Sequence, residues 1–196
     1  MPTPLDPLVD FDGRWTTELA DRLLPRPELP LVRYECIDGR LVDVPTRTMS
    51  DTFGAATLIH LLGPAAQAVK FFVCGPVNLT FDTRKWIQPD VTVLHALPET
   101  DEEDKWVPAR LCTLAVEFVS AGSRKQDFVG KPRRCAEGGV PYFMRVEIAR
   151  RLRHASVEFL TLVDGEYQRT AEAVCGRRLR VSQPFEIDFD PHDLLL

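Results

Sequence analysis

The stretch CTLAVEFVS, residues 112–120, constrains this chain more than any other. It is apolar on both alternating faces, as expected of a central strand covered on both sides, yet it carries Glu117 in its middle. A carboxylate in that position is costly unless a cation or several donors satisfy it. Two arrangements meet the requirement. One is a divalent metal, whose hard oxygen ligands include carboxylates; the other is a buried ion pair with an arginine.

The surrounding pattern supplies layers to cover such a strand. LVRYECIDGRLVDVP (31–45) places two short runs around Asp38-Gly39, a strong hairpin signal, with Glu35 on the first strand. Residues 50–69 read as a helix, with Ser50 or Asp51 as N-cap and a stripe through Phe53, Thr57, Leu58, Leu61 and Leu62. Three β-like runs follow, 70–74, 77–81 and 90–95, expected to be neighbouring antiparallel strands with a polar turn around Asp82 to Lys85. Residues 98–108 read as a solvated acidic loop. After the apolar strand, a helix is expected over about 126–137, closed by Gly138-Gly139, with Pro132 at its start or kinking it. A strand at 142–148, a hairpin turning at Asp164-Gly165 and a last strand near 185–189 complete the pattern.

Helices mixed with antiparallel and central strands imply an α+β (mixed α/β) domain with helices covering a central sheet. Length allows one domain with a substantial core, over residues 31–196 of the 196. It is preceded by a proline-rich arm, residues 1–30, containing a short helix over Thr16 to Leu24. The first residues lack a signal-peptide pattern and no run reaches the length of a membrane span, so a cytoplasmic location is expected. The five cysteines are odd in number and scattered, which fits reduced, packing thiols rather than a zinc site. Cys135, beside Arg133 and Arg134, reads as a helix-face packing residue. The four histidines have no metal-ligand spacing, and neither a nucleophile elbow nor a phosphate-binding P-loop is present.

A net charge of −5 argues against tight, indiscriminate nucleic-acid binding, but the charge is uneven. Residues 124–153 carry nine basic side chains against three acidic ones. They form either a solvated helix and hairpin or a phosphate-facing strip. Asp90, after Pro89 at the mouth of another strand, pairs with Glu117 as a Mg²⁺ site if the two strands are neighbours. Lys131 lies one turn after Asp127, which fits an ordinary (i, i+4) pair. It also fits an ammonium aimed into the metal site, where it would orient the attacking water and stabilise the transition state.

YECIDGRLV, QPDVTVL and LAVEFVSAGSRKQDFVGKPRRCAEGGVPYFMRVE, in that order and spacing, resemble the Uma-type family of restriction-endonuclease-like proteins within the PD-(D/E)XK nuclease superfamily. The resemblance spans roughly Tyr34 to Asp190, and its specific part runs from VEFVS to GGVPYF. It implies a restriction-endonuclease-like central mixed β-sheet flanked by helices, with added β-hairpins. It also implies hydrolysis of DNA phosphodiester bonds with Mg²⁺, or Mn²⁺, held by Asp90 and Glu117. Lys131 matches the family's helix lysine, standing in for the strand lysine that Val119 replaces. Glu35 matches a recurrent family glutamate, a candidate ligand or water-binding group. Three positions depart from the pattern: Met49-Ser50-Asp51 where relatives often carry histidine, Cys135 for tyrosine, and Phe143-Met144 for an aromatic pair.

The resulting expectation is an endonuclease in which Asp90 and Glu117 bind the ion, Lys131 positions water, and Arg124, Lys125, Arg133 and Arg134 hold the DNA backbone. A homodimer would suit double-strand cutting. The alternative is a catalytically silent nuclease-like fold that acts as a nucleic-acid-binding or protein-interaction module.

Overall fold

The computed structural model describes residues 7–24, 33–120 and 122–196. The N-terminal arm forms one turn, α1 (Pro7–Asp10), and a short helix, α2 (Thr17–Leu23). Thr16 caps α2 by accepting the Leu19 amide at 3.1 Å. Trp15 is fully buried against Cys36, Trp86 and Trp106, so the arm docks through an aromatic cluster. The part of the arm from residue 25 to residue 30 lies outside the described residues.

The expected hairpin is β1 (Arg33–Ile37) and β2 (Arg40–Val44). Asp38 and Gly39 both have positive φ, 53° and 81°, as a two-residue loop of this hand requires. The next helix, α3 (Met49–Ala68), starts earlier than the sequence suggested. Its cap is Thr48 rather than Ser50 or Asp51: the Thr48 hydroxyl accepts the Asp51 amide and Asp51 accepts the Thr48 amide, a capping box.

The following strands also differ from expectation. They are β3 (Phe72–Cys74), β4 (Leu79–Asp82), β5 (Lys85–Ile87) and β6 (Val91–Leu94). β3 pairs with β6, but β4 leaves that sheet and pairs with β5, which the sequence reading had partly absorbed into a turn. Trp86 and Ile87 are buried, and Lys85 at the strand's start disguised the short apolar pair. Within the acidic loop lies one short helix, α4 (Asp101–Lys105), capped by Thr100, followed by the two-residue β7 (Val107–Pro108).

The remaining elements are β8 (Cys112–Phe118), α5 (Lys131–Glu137), β9 (Tyr142–Ala149), β10 (His154–Val163), β11 (Glu166–Val174), β12 (Leu179–Val181) and β13 (Ile187–Phe189). A π-helical turn, Gln126–Gly130, leads directly into α5.

A six-stranded mixed sheet runs β11-β10-β9-β8-β6-β3, parallel only between β8 and β9. A second, five-stranded sheet runs β2-β1-β5-β4-β7, and β12 pairs with β13. The expected central mixed sheet is therefore the largest of the three sheets among the described residues. All seven residues of β8 are buried, as CTLAVEF demands. Leu58, Leu62 and Ala66 of α3 pack with Leu114, Val116 and Phe118 on one face. Gly54 makes that approach possible, since a Cβ there would lie 2.7 Å from Phe118 Cε1 and 2.9 Å from Ile148 Cδ1. On the other face Ala115 joins Cys135 of α5 and Leu79 and Ile87 of the smaller sheet. Glu117, two residues along from Ala115, faces the junction of α5 with both sheets.

Candidate metal centre

β6 runs antiparallel to β8 with Val91 opposite Val116, which sets Asp90 beside Glu117. The backbone fixes Asp90 at both ends: its amide donates to Val116 O at 2.9 Å, and its Oδ2 accepts the Phe118 amide at 2.7 Å. The expected neighbourhood of the two strands is thus present. Glu35, on β1 of the other sheet, accepts the Gln88 amide at 2.9 Å, two residues before Asp90. The hairpin β1-β2 and the approach to β6 are tied together at this point.

Lys131 enters from the first position of α5 and is almost wholly buried. Its Nζ lies 3.0 Å from Glu117 Oε2, 3.0 Å from Glu35 Oε1 and 3.5 Å from Asp127 Oδ1. The last contact is the ordinary (i, i+4) pair, and the same ammonium also lies against Glu117 and Glu35. The π-helical turn sets this spacing: the Lys131 amide reaches back to Gln126 O, and Ser123 Oγ donates to Asp127 Oδ2.

Sequence reasoning missed one participant. Arg47, in the loop before α3, places Nη2 2.5 Å from Asp90 Oδ2 and 3.3 Å from Glu117 Oε2, and Nη1 donates to the Phe118 carbonyl. The arginine partner of the second reading of Glu117 therefore exists. A lone arginine in a Thr-Arg-Thr loop gave no periodic or motif signal. Asp127 was weighed only as a helix pair and is fully buried in the cluster.

Two cations, Arg47 and Lys131, face four buried carboxylates, Glu35, Asp90, Glu117 and Asp127, which leaves two negative charges uncompensated. Glu117 Oε1 is buried without a hydrogen-bond partner, and Asp127 Oδ1 likewise. Burial pushes the Glu117 carboxyl well above the usual range, with Asp90, Asp127 and Glu35 adding repulsion against the pull of Lys131. Burial also raises Asp90, despite Arg47 and the Phe118 amide, and raises Asp127 despite Lys131 and Ser123. Lys131 is desolvated too, but Glu117, Glu35 and Asp127 hold its charge more firmly than usual. Four carboxylates against two cations offer hard oxygen donors and surplus negative charge, a donor set that fits a divalent cation. Among the described residues, no group of three or more Asp, Glu, His or Cys side chains is arranged so that it could hold a metal ion. The fit rests on Asp90 and Glu117 with the orphaned Glu117 oxygen.

The basic residues stand apart from this cluster. Arg124 is exposed, paired with Glu147 at 2.6 Å and stacked 4.6 Å from the Phe128 ring centroid. Arg133 pairs with Glu137 at 2.8 Å and Arg134 donates to Gln126. Lys125 is exposed with no ion pair among the described residues. Cys135 is wholly buried and its thiol is pushed well up, as a packing residue requires. No helix among the described residues is long and apolar enough to cross a membrane.

A family model described as "Putative restriction endonuclease", Uma2, matches residues 20–192. No curated protein matches the chain significantly. Among solved structures, the chain is similar to a crystal structure titled as a putative nuclease belonging to DUF820 from Anabaena variabilis, with TM-score 0.65 at 14% identity. The likeness covers 89% of this chain and 95% of that one, and places the two in the same fold.

Proposed function

The chain belongs to the Uma2 family of restriction-endonuclease-like proteins, and from that premise we propose that it is a divalent-metal-dependent endonuclease acting on DNA. The observation that carries this reading is the surplus of buried carboxylate around Glu117, with one oxygen left unpartnered. Asp90 and Glu117 would hold the ion, Mg²⁺ or Mn²⁺. When bound, such an ion supplies an acidified water and offsets the charge of the scissile phosphate.

The chain's own groups do the rest. The Lys131 ammonium, anchored between Glu117 and Glu35, would orient the attacking water and offset the developing negative charge. Asp127 keeps that ammonium oriented along the helix. Glu35, fixed by the Gln88 amide, would accept a hydrogen bond from water. Arg124, Lys125, Arg133 and Arg134 would contact phosphates without reading sequence.

The Arg47 clasp supports a second reading, in which the fold binds nucleic acid or a protein without turnover. Plasmid nicking separates the two. The nuclease reading expects nicking with Mg²⁺ or Mn²⁺ that Glu117→Ala abolishes, by on the order of a thousandfold, since a metal's charge stabilisation is worth several kcal/mol. Absence of nicking by the unmodified protein with either ion, while DNA is still bound, favours the silent module.

A further inference from the structure

We propose that Arg47 is a resident counterion that occupies the cation position between Asp90 and Glu117 and is displaced when a divalent ion binds there. The inference rests on the metal reading above and adds a residue to which no role has been given.

Arg47 donates to the Phe118 carbonyl and lies close to Asp90, but it leaves part of its guanidinium unused. A single nitrogen, Nη2, serves both carboxylates, so neither contact has the paired geometry in which guanidinium binds carboxylate best. Its Nε is buried with no acceptor at all. The Arg47 side chain is also the most exposed member of the cluster, 14% against 4% for Lys131, and therefore lies on the solvent side. It hangs from the loop ahead of α3, whose start is fixed independently by the Thr48 and Asp51 capping box. The side chain can leave without unmaking the helix. Lys131 differs on each point, being deeper, bonded to three carboxylates and rooted in a helix.

With Arg47 in place the four carboxylates face two cationic charges; with a divalent ion in its stead they would face three, so the exchange halves the surplus of negative charge. Ion and guanidinium would compete for the same two carboxylates, Asp90 and Glu117, so each would weaken the other's hold by the same factor.

The test is Mn²⁺ titration of the full chain by calorimetry, comparing the unmodified protein with Arg47→Gln, Arg47→Lys and Arg33→Gln. Arg33 is a charge control, since it acts on Asp90 at a distance and does not bridge the two carboxylates. Arg47→Gln should bind Mn²⁺ about tenfold tighter or more. Arg47→Lys, which keeps the charge but loses the planar reach, should also bind more tightly than the unmodified protein. Arg33→Gln should change affinity far less than Arg47→Gln. Equal or weaker binding by Arg47→Gln overturns the counterion role while leaving the metal reading intact, and so does an equal gain in Arg33→Gln. Should Arg47→Gln lose its cooperative melt, unchanged or weaker binding by Arg47→Lys overturns the role by itself. Failure of all four proteins to bind Mn²⁺ removes the metal reading and this inference with it.

Discussion

On the outer strands β9 to β11, Arg145, Glu158, Arg169 and Glu172 form a ladder of ion pairs at 2.7 to 2.9 Å, two cations against two carboxylates. In the cluster around Glu117, similar residue types meet at similar distances, but two cations face four buried carboxylates. The ladder is balanced and, at Arg169, half exposed, so solvent already does most of what the pairs do. The buried cluster is unbalanced where imbalance costs most. That contrast is what makes the cluster, and not the ladder, the candidate site.

Removing a cation from each region should give the widest difference. Lys131→Met strands three carboxylates in the buried cluster and should cost about 3–5 kcal/mol of stability, read by urea denaturation. A loss under about 1 kcal/mol would mean that the cluster is as solvated as the ladder.

Acidity should sharpen the contrast further. Burial holds Glu117, Asp90 and Asp127 above their ordinary range, so the folded, metal-free chain keeps protons that the unfolded chain has released. Their contribution to stability is therefore fully present below the unfolded values, near pH 4, and is lost as pH rises through the raised folded values. A divalent ion replaces those protons, so its benefit grows with pH. Mn²⁺ at a hundred times its pH 8 dissociation constant should add about 2.7 kcal/mol in thermal melts at that pH, and the same concentration much less near pH 5. An equal effect at both would place the ion elsewhere.

Smaller effects belong to the surface. Lys125→Ala should weaken DNA binding uniformly across sequences and lower the salt slope by about one. An unchanged slope would take the strip around α5 out of the interface. Arg169→Ala, in the ladder, should cost less than about 1 kcal/mol by the same denaturation measurement.

The sequence revealed the cluster unevenly, for physical reasons. Glu117 stood out because a single charge interrupts an otherwise apolar strand, and burial of all of β8 bears that reading out. Asp90 needed β6 and β8 to be neighbours, a long-range pairing that only the family resemblance suggested, and the register supplies it. Arg47 was invisible because a loop residue has no periodicity and its partners lie about seventy positions away in Glu117 and Phe118. The hairpins at Asp38-Gly39 and Asp164-Gly165 were legible because turn chemistry is local, and all four residues have positive φ. The second sheet was not legible, since β4 and β5 are three to four residues long and their membership is decided by packing against β1 and β7.

The most direct measurement is the proton balance of Mn²⁺ binding, by calorimetry near neutral pH in buffers of different ionisation enthalpy. The buried surplus around Glu117 should take up one ion and release protons into the buffer, and Glu117→Gln should bind far more weakly and release fewer. Binding of equal strength and equal proton release in the variant, or no uptake by the unmodified protein, would contradict the assignment of those carboxylates to a divalent cation.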